Sequence, residues 1–313
     1  MLAWKYDSPH PDWPGPRSFV WKNGDGIAAH ACMWPVIYDT VTGSVACSYL
    51  IDWAASRTSA GAGVALLRAL ARRCEVLLAV GGSSDTRSIL PKLGYRHAGD
   101  LHFYARVFRP WRQFRTDPYP RGWKAPLRLA RNAVRSLSPM PRTLSGWSTG
   151  VMAAFDDSMG ALFKARRHAP FPATRRTPEL MNYWLRCPGV VFSAARIVYE
   201  GAPRGWFVLS RVAGQARVAD LWVDSARSAD WTAAYALAVQ AAQRDAEACE
   251  LVASASTALA REGAGQAGLR LHHVEPIFVL DRKGRLTGPP PLDVTFLESD
   301  LAYLENPDYP YLT

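Results

Sequence analysis

The stretch 45–53 is a β-prone run, and from Val64 to Arg73 apolar residues return at helical spacing. Between them the chain reads Arg57, Thr58, Ser59, Ala60, Gly61, Ala62, Gly63, a loop that opens a helix directly after a strand. A helix start carries free backbone N–H groups and the positive end of the helix dipole, and glycine lets an anion approach the main chain closely. Residues 75–80, Glu-Val-Leu-Leu-Ala-Val, follow as a second buried strand, then a Gly81-Gly82-Ser83-Ser84 turn and a short helix over 85–93 that stops at Gly94. Strand, glycine-bearing loop, helix, strand and helix in that order are the layout of a site for a phosphorylated cofactor.

Gly61 and Gly63 do not form a dinucleotide fingerprint. That pattern needs a third glycine where Leu66 stands and an acid at the end of the next strand, whereas Glu75 opens it.

The arrangement resembles the GNAT superfamily of N-acetyltransferases, in which acyl-CoA pyrophosphate sits on a Gln/Arg-x-x-Gly-x-Gly/Ala loop after the fourth strand. The matching residues are Thr58 to Gly63, and the helix ending Leu93, Gly94, Tyr95 before the strand 102–108 also matches. Thr58 stands where the family has Gln or Arg, with Arg57 one place early, and Leu90 stands where many members carry a tyrosine that protonates the leaving thiolate. The resemblance implies an α+β fold, a mixed and mostly antiparallel sheet flanked by helices, and acetyl-CoA or another acyl-CoA as donor. It assigns Trp53, Ala54, Arg57, Thr58, Ser59, Ala60, Gly61, Ala62, Gly63 and Asp85 to the cofactor, Asp85 standing where members often have Asn.

The chain also repeats itself. Asp52 and Asp224 lie 172 residues apart (224 − 52), Glu75 and Glu250 lie 175 apart (250 − 75), and Gly94 and Gly268 lie 174 apart (268 − 94). Each pair opens or closes a similar segment, so two copies of one fold are the economical reading. This places a GNAT-like domain at 1–110, a linker at 111–144 and a second GNAT-like domain at 145–313. In the second copy Ser225 to Trp231 replaces the glycine loop, and Asp230 sets a negative charge at the helix start, so that half is read as structural. The second copy has a helical segment over 148–167 before its Trp-x-x-x-Pro element. The first begins at Trp4, so the expectation is either that the chain starts late or that its opening strand and helices come from the second copy or a partner chain.

The 313 residues carry a net charge of +10 and near-half apolar content, enough for two ordinary cores and against disorder. Five scattered cysteines form no Cys-x-x-Cys pair, which suggests neither a disulfide framework nor a zinc site. With no signal sequence and no membrane-length apolar run, the reading is a cytoplasmic protein, at the inner membrane surface if the linker meets lipid. Residues 109–142 are rich in Pro and Arg with Asp117 as the sole acid, and 127–137 has the pattern of a short basic amphipathic helix. That segment reads as a solvated connector, or as a contact for anionic lipid; nucleic acid is the disfavoured partner.

Acylation of an amine needs a base for the acceptor ammonium and donors for the developing oxyanion. Asp52 ends the strand before the loop and is the candidate nearest the thioester, the alternative being a cap for the following turn. His30, in a β-prone segment, points to the cleft or to the core depending on register. His272 and His273 stand where the sheet would bring them to Asp220 and Asp224, and no metal site is expected. Trp53 and Trp222 at corresponding places also suit packing under the helix, and 289–300 reads as a proline-braked strand. The resulting expectation is a tandem GNAT-like N-acyltransferase acting on a small-molecule amine held between its halves, as monomer or homodimer. Similar tandem chains occur among bacterial enzymes acting on amino sugars of cell-surface polysaccharide precursors. The rival readings are a Fem-like aminoacyl-tRNA-dependent transferase and a non-catalytic protein of the same fold that binds CoA or a partner.

Overall fold

The computed structural model describes residues 2–117, 122–142, 144–286, 291–306 and 309–313. The first copy runs α1 (Leu2–Tyr6), β1 (Ser18–Asn23), β2 (Gly26–Thr40), β3 (Gly43–Ala55), α2 (Ala62–Leu70), β4 (Val76–Val80), α3 (Ser84–Lys92) and β5 (Arg96–Val107). The connecting segment holds α4 (Pro110–Thr116) and α5 (Lys124–Ser136). The second copy runs β6 (Trp147–Met152), α6 (Gly160–Arg167), β7 (Ala173–Thr174), α7 (Pro178–Leu185), β8 (Val191–Tyr199), β9 (Ala202–Val212), β10 (Gln215–Val223), α8 (Ser228–Arg244), β11 (Glu250–Ala255), α9 (Ala258–Gln266) and β12 (Arg270–Asp281). From β1 to β5 and from β8 to β12 the element order is the same, so the repeat read from sequence is present in the fold.

Two compact units result, and each draws on both copies. The first comprises Met1–Leu101, Phe163–Tyr183 and Glu275–Asp293; the second comprises His102–Leu162, Trp184–Val274 and Val294–Thr313. These bounds differ from sequence boundaries at 110 and 144, and the physical reason is strand exchange. In the first unit the antiparallel neighbour of β4 is not the next strand in its own copy but β12, where Ile277 to Asp281 face Val80 to Val76. In the second unit the antiparallel neighbour of β11 is β5, with Val107 opposite Glu250 and His102 opposite Ala255.

The first unit's sheet has the order β1, β2, β3, β4, β12, with β3 and β4 the parallel pair and β7 added to β2. Leu66, Leu67 and Leu70 of α2 bury against Met33, Leu50, Leu77 and Phe278, joined by Leu90 and Tyr95. The Phe163–Tyr183 segment is held by a buried network. Arg166 Nη2 lies 2.7 Å from Asp293 Oδ2. Tyr38 OH donates to the Asp293 carbonyl at 3.2 Å and therefore accepts from Tyr49 OH at 2.6 Å. The helix expected over 148–167 forms only over its last eight residues; its start is β6, paired with β8, where Thr149, Val151 and neighbours satisfy their backbone groups in the ladder.

The second unit's sheet has the order β5, β11, β10, β9, β8, β6, with β10 and β11 parallel. Helix α8 buries Trp231, Tyr235, Leu237, Val239 and a series of alanines. Gly263 of α9 sits where an added Cβ would lie 2.8 Å from Trp231, so small residues set the spacing of the two helices. The connecting segment is not a free connector: Gln113 and Asn132 are buried, and Arg109 donates to the carbonyls of Ala248 and Gln243. Glu250, fully buried, accepts from Gln215 Nε2 at 2.7 Å, from the Leu312 amide at 2.6 Å and from Thr313 Oγ1 at 2.5 Å. Burial holds its carboxyl above the usual range. Within 289–300, Pro289 and Pro290 lie outside the described residues. The remainder makes one isolated bridge at Asp293 and a 3-10 turn capped by Thr295 instead of the expected strand.

Candidate active site

The site grows from one irregularity in β3. Ala54 faces His30 and Ile51 faces Cys32, so Asp52 and Trp53 together oppose Ala31. This is a β-bulge, which re-aims side chains at the point where it interrupts the ladder. Asp52 takes φ 53°, a left-handed conformation that Asp tolerates better than most residues. The parallel ladder with β4 covers only Cys47 to Tyr49, so the bulged end of β3 runs beyond it with β2 as partner.

The two bulge residues serve opposite neighbours. Asp52 Oδ2 lies 2.5 Å from Lys5 Nζ and accepts from Tyr6 OH at 2.9 Å, both residues on α1. Trp53 Nε1 donates to the Gly63 carbonyl at 3.1 Å and so ties the start of α2 to β3. His30 lies between: its Nδ1 is 3.3 Å from the Asp52 carbonyl oxygen and its Nε2 is 2.9 Å from Ser18 Oγ. A carbonyl only accepts, so Nδ1 carries the proton and Nε2 accepts from the Ser18 hydroxyl. Burial, then the bond to Asp52, pushes the Tyr6 phenol up to about 12. Asp52 and His30 are thus brought together, and the arrangement adds Lys5, Tyr6 and Ser18, which sequence reasoning missed. In the sequence this stretch had shown only as the start of the first copy at Trp4, and nothing in the spacing of residues 2–9 points at β3.

Gly61 is the residue before α2, with φ 81° and open space around the position of a Cβ. Ser56 accepts from the Thr58 amide and the Ser59 carbonyl accepts from the Ala62 amide, which shapes the loop. The remaining first-turn N–H groups, those of Gly63 and Val64, have no partner within the helix. Gly63 is small for a different reason: a Cβ there would lie 3.0 Å from Ala55 Cβ and 3.2 Å from Trp53 Nε1. Arg57 and Thr58 are exposed on the loop, and Ala54 continues the strand beyond the bulge. Asp85 is exposed in the first turn of α3, where Ser83 is the capping side chain, and Leu90 is fully buried in the core.

In the second copy the corresponding loop is closed upon itself. Ser225 Oγ donates to Asp230 Oδ2 at 2.6 Å and accepts from the Arg227 amide at 3.0 Å, while Trp231 Nε1 donates to the Ser225 carbonyl. A carboxylate therefore occupies the helix start. Asp220 accepts from Trp206 Nε1 at 2.8 Å and His273 stacks on Phe103 at 4.3 Å. No group of three or more His, Cys, Asp or Glu suited to a metal is found among the described residues. No helix among them is long and apolar enough to cross a membrane.

No protein-family model and no curated protein matches the sequence. Solved structures do match, at low identity. A GCN5-related N-acetyltransferase from Anabaena variabilis matches with a TM-score of 0.54 at 11% identity, covering 85% of this chain and 62% of its own. A GCN5-related N-acetyltransferase from Kribbella flavida matches with a TM-score of 0.50 at 15% identity, covering 84% and 60%. The Saccharomyces cerevisiae N-myristoyltransferase, solved with bound myristoyl-CoA, matches with a TM-score of 0.59 at 12% identity, covering 95% and 77%. The chain spans about three fifths of the length of those N-acetyltransferases. The fold is that of the tandem GNAT proteins: α+β, with a mixed and mostly antiparallel sheet flanked by helices.

Proposed function

We propose that the chain is an acyl-CoA-dependent acyltransferase whose donor site is the start of α2 and whose acceptor is an amine, an amino sugar of a cell-surface polysaccharide precursor being the substrate class that the resemblance read from the sequence suggests. The observation that carries this reading is the bulge at Asp52 and Trp53, which holds a basic histidine on one side and the glycine-capped helix start on the other. The loop fits a pyrophosphate because the space a Cβ at Gly61 would occupy is open beside amides that lack helical partners. The backbone amides of Gly61, Gly63 and Val64 would hold it, with Arg57 near by. Acyl-CoA, when bound, supplies an acyl group activated as a thioester.

The residues of this chain would do the rest. His30 Nε2 is the base, taking the ammonium proton of the acceptor through the Ser18 hydroxyl. Asp52 positions the ring through its carbonyl, its carboxylate being engaged by Lys5 and Tyr6. Leu90, buried in place of a phenol, leaves protonation of the departing thiolate to solvent or to the acceptor.

Calorimetric titration with CoA, acetyl-CoA and a long-chain acyl-CoA, on the wild type and on Gly61→Glu, tests the reading. Binding to the wild type that disappears in the variant is the expected result. Equal affinity in both would remove the loop assignment, and no binding to either would remove the acyltransferase reading.

A further inference from the structure

Helix α5 turns its apolar stripe away from the protein. Trp123, Leu127, Val134 and Leu137 are 77, 61, 70 and 80% exposed. They are spaced by four, seven and three residues, which at 3.6 residues per turn puts them on one narrow arc, with exposed Ala130 between them. The face that holds the helix is polar: Asn132 is buried, with Nδ2 donating to Gln113 Oε1 at 3.0 Å. Surface helices normally do the reverse and bury the apolar stripe. Trp111 of α4, 60% exposed, adds a further apolar ring to this region of the second unit.

Beside the stripe the same helix is strongly basic. Arg131 and Arg135 line a cavity of about 200 Å³ together with Arg106, Arg270, His272 and Ser138. The neighbouring Arg128 pairs with Asp117, but the four cavity arginines have no carboxylate side chain as partner among the described residues. Arg106 is spent on the carbonyls of Gly268, Ser138 and Pro139, and Arg270 on the Ser138 hydroxyl. Burial, and then the adjacent guanidiniums, hold Arg106 and Arg131 below the usual arginine range. Glu250 is the acid whose charge reaches Arg131, and like charges gathered this closely with so little opposite charge are stabilised by an anion from outside.

An apolar arc of Trp, Leu and Val with cations along one edge fits a helix lying in the headgroup region of a bilayer. Neither leucine nor valine offers anything to a nucleic-acid backbone. We propose that α5 docks on an anionic phospholipid surface, with Trp123, Leu127, Val134 and Leu137 in the acyl boundary and a headgroup phosphate against Arg131 and Arg135. This role is independent of the acyl-CoA reading, since all its residues lie in the second unit.

The test is flotation of the full chain with vesicles of phosphatidylcholine, with and without phosphatidylglycerol. The comparison variants are Leu127→Asp with Val134→Asp and Arg131→Gln with Arg135→Gln, and thermal melting confirms that each is folded. The expected result is binding to the phosphatidylglycerol vesicles alone, weakened by salt, abolished by the aspartates, and reduced roughly fivefold for each cation removed. Equal binding to both vesicle types, or full binding by the aspartate variant, would overturn the proposal. So would failure to bind either vesicle, and dimerisation lost in the aspartate variant would then reassign the stripe to a second copy of the chain.

Discussion

Lys5 Nζ lies 2.5 Å from Asp52 Oδ2, and the lysine side chain is only 3% exposed. A buried ammonium is tolerable only with a counter-charge, so this pair fastens α1 to the bulge of β3. Asp52→Asn removes the charge while keeping an acceptor for Tyr6 and a residue suited to φ 53°. It should cost about 3–5 kcal/mol, because it removes the carboxylate charge facing a buried ammonium. Lys5→Met should cost less, about 1–3 kcal/mol, since Asp52 keeps Tyr6 and partial solvent. Chemical denaturation of both single variants and the double should show the double costing less than the sum; additive effects would mean the pair is not coupled.

His30→Ala should slow acyl transfer by about 10²–10⁴-fold with little change in donor affinity, the range expected when a general base is lost. Ser18→Ala should produce a smaller slowing in the same direction. Thiol release from acyl-CoA in the presence of an amine panel measures both, and an unchanged rate in His30→Ala would assign the base elsewhere.

Acid should destabilise the first unit through His10. It is buried against Trp34, Tyr183 and Arg17, and burial, followed by the Arg17 charge, lowers its pKa to about 3. The unfolded chain binds this proton near pH 6.5 and the folded chain only near pH 3. Stability is therefore fully present above the unfolded value and falls as pH drops through that window, by up to about 1.4 kcal/mol per pH unit. His10→Phe should flatten the denaturation free energy over that range, and an unchanged slope would show that His10 titrates normally.

The segment 163–183 should depend on the Arg166 and Asp293 pair, whose side chains are almost wholly buried. Asp293→Ala should cost about 3–5 kcal/mol by leaving the guanidinium in the interior. Limited proteolysis should then cut within 163–183 earlier than in the wild type; identical cleavage would show the segment held by other contacts.

Gly205→Ala should prevent folding, because an added Cβ would lie 2.0 Å from the Trp222 carbonyl oxygen, on a paired strand that has no room to yield. Gly150→Ala, with open space around the Cβ, should melt near the wild type. Comparing soluble yield and melting of the two distinguishes close strand approach from a general intolerance of substitution in the sheet.

The sequence by itself determined the elements around the glycine loop, the repeat and its spacing, because these rest on local rules: helical periodicity over 64–73, glycine at the start of α2 and at Gly94 after α3, and β-prone runs at 45–53 and 75–80. It also brought Asp52 and His30 forward, as separate candidates. The tertiary structure alone decided which strands the two copies exchange, since β4 with β12 and β5 with β11 are partners distant in sequence that no local rule pairs. It alone placed Lys5, Tyr6 and Ser18 at the bulge and faced the apolar stripe of α5 outward. Periodicity reveals that a helix has an apolar side, but which side meets the protein depends on the partners that close over it, and those are set by the whole fold.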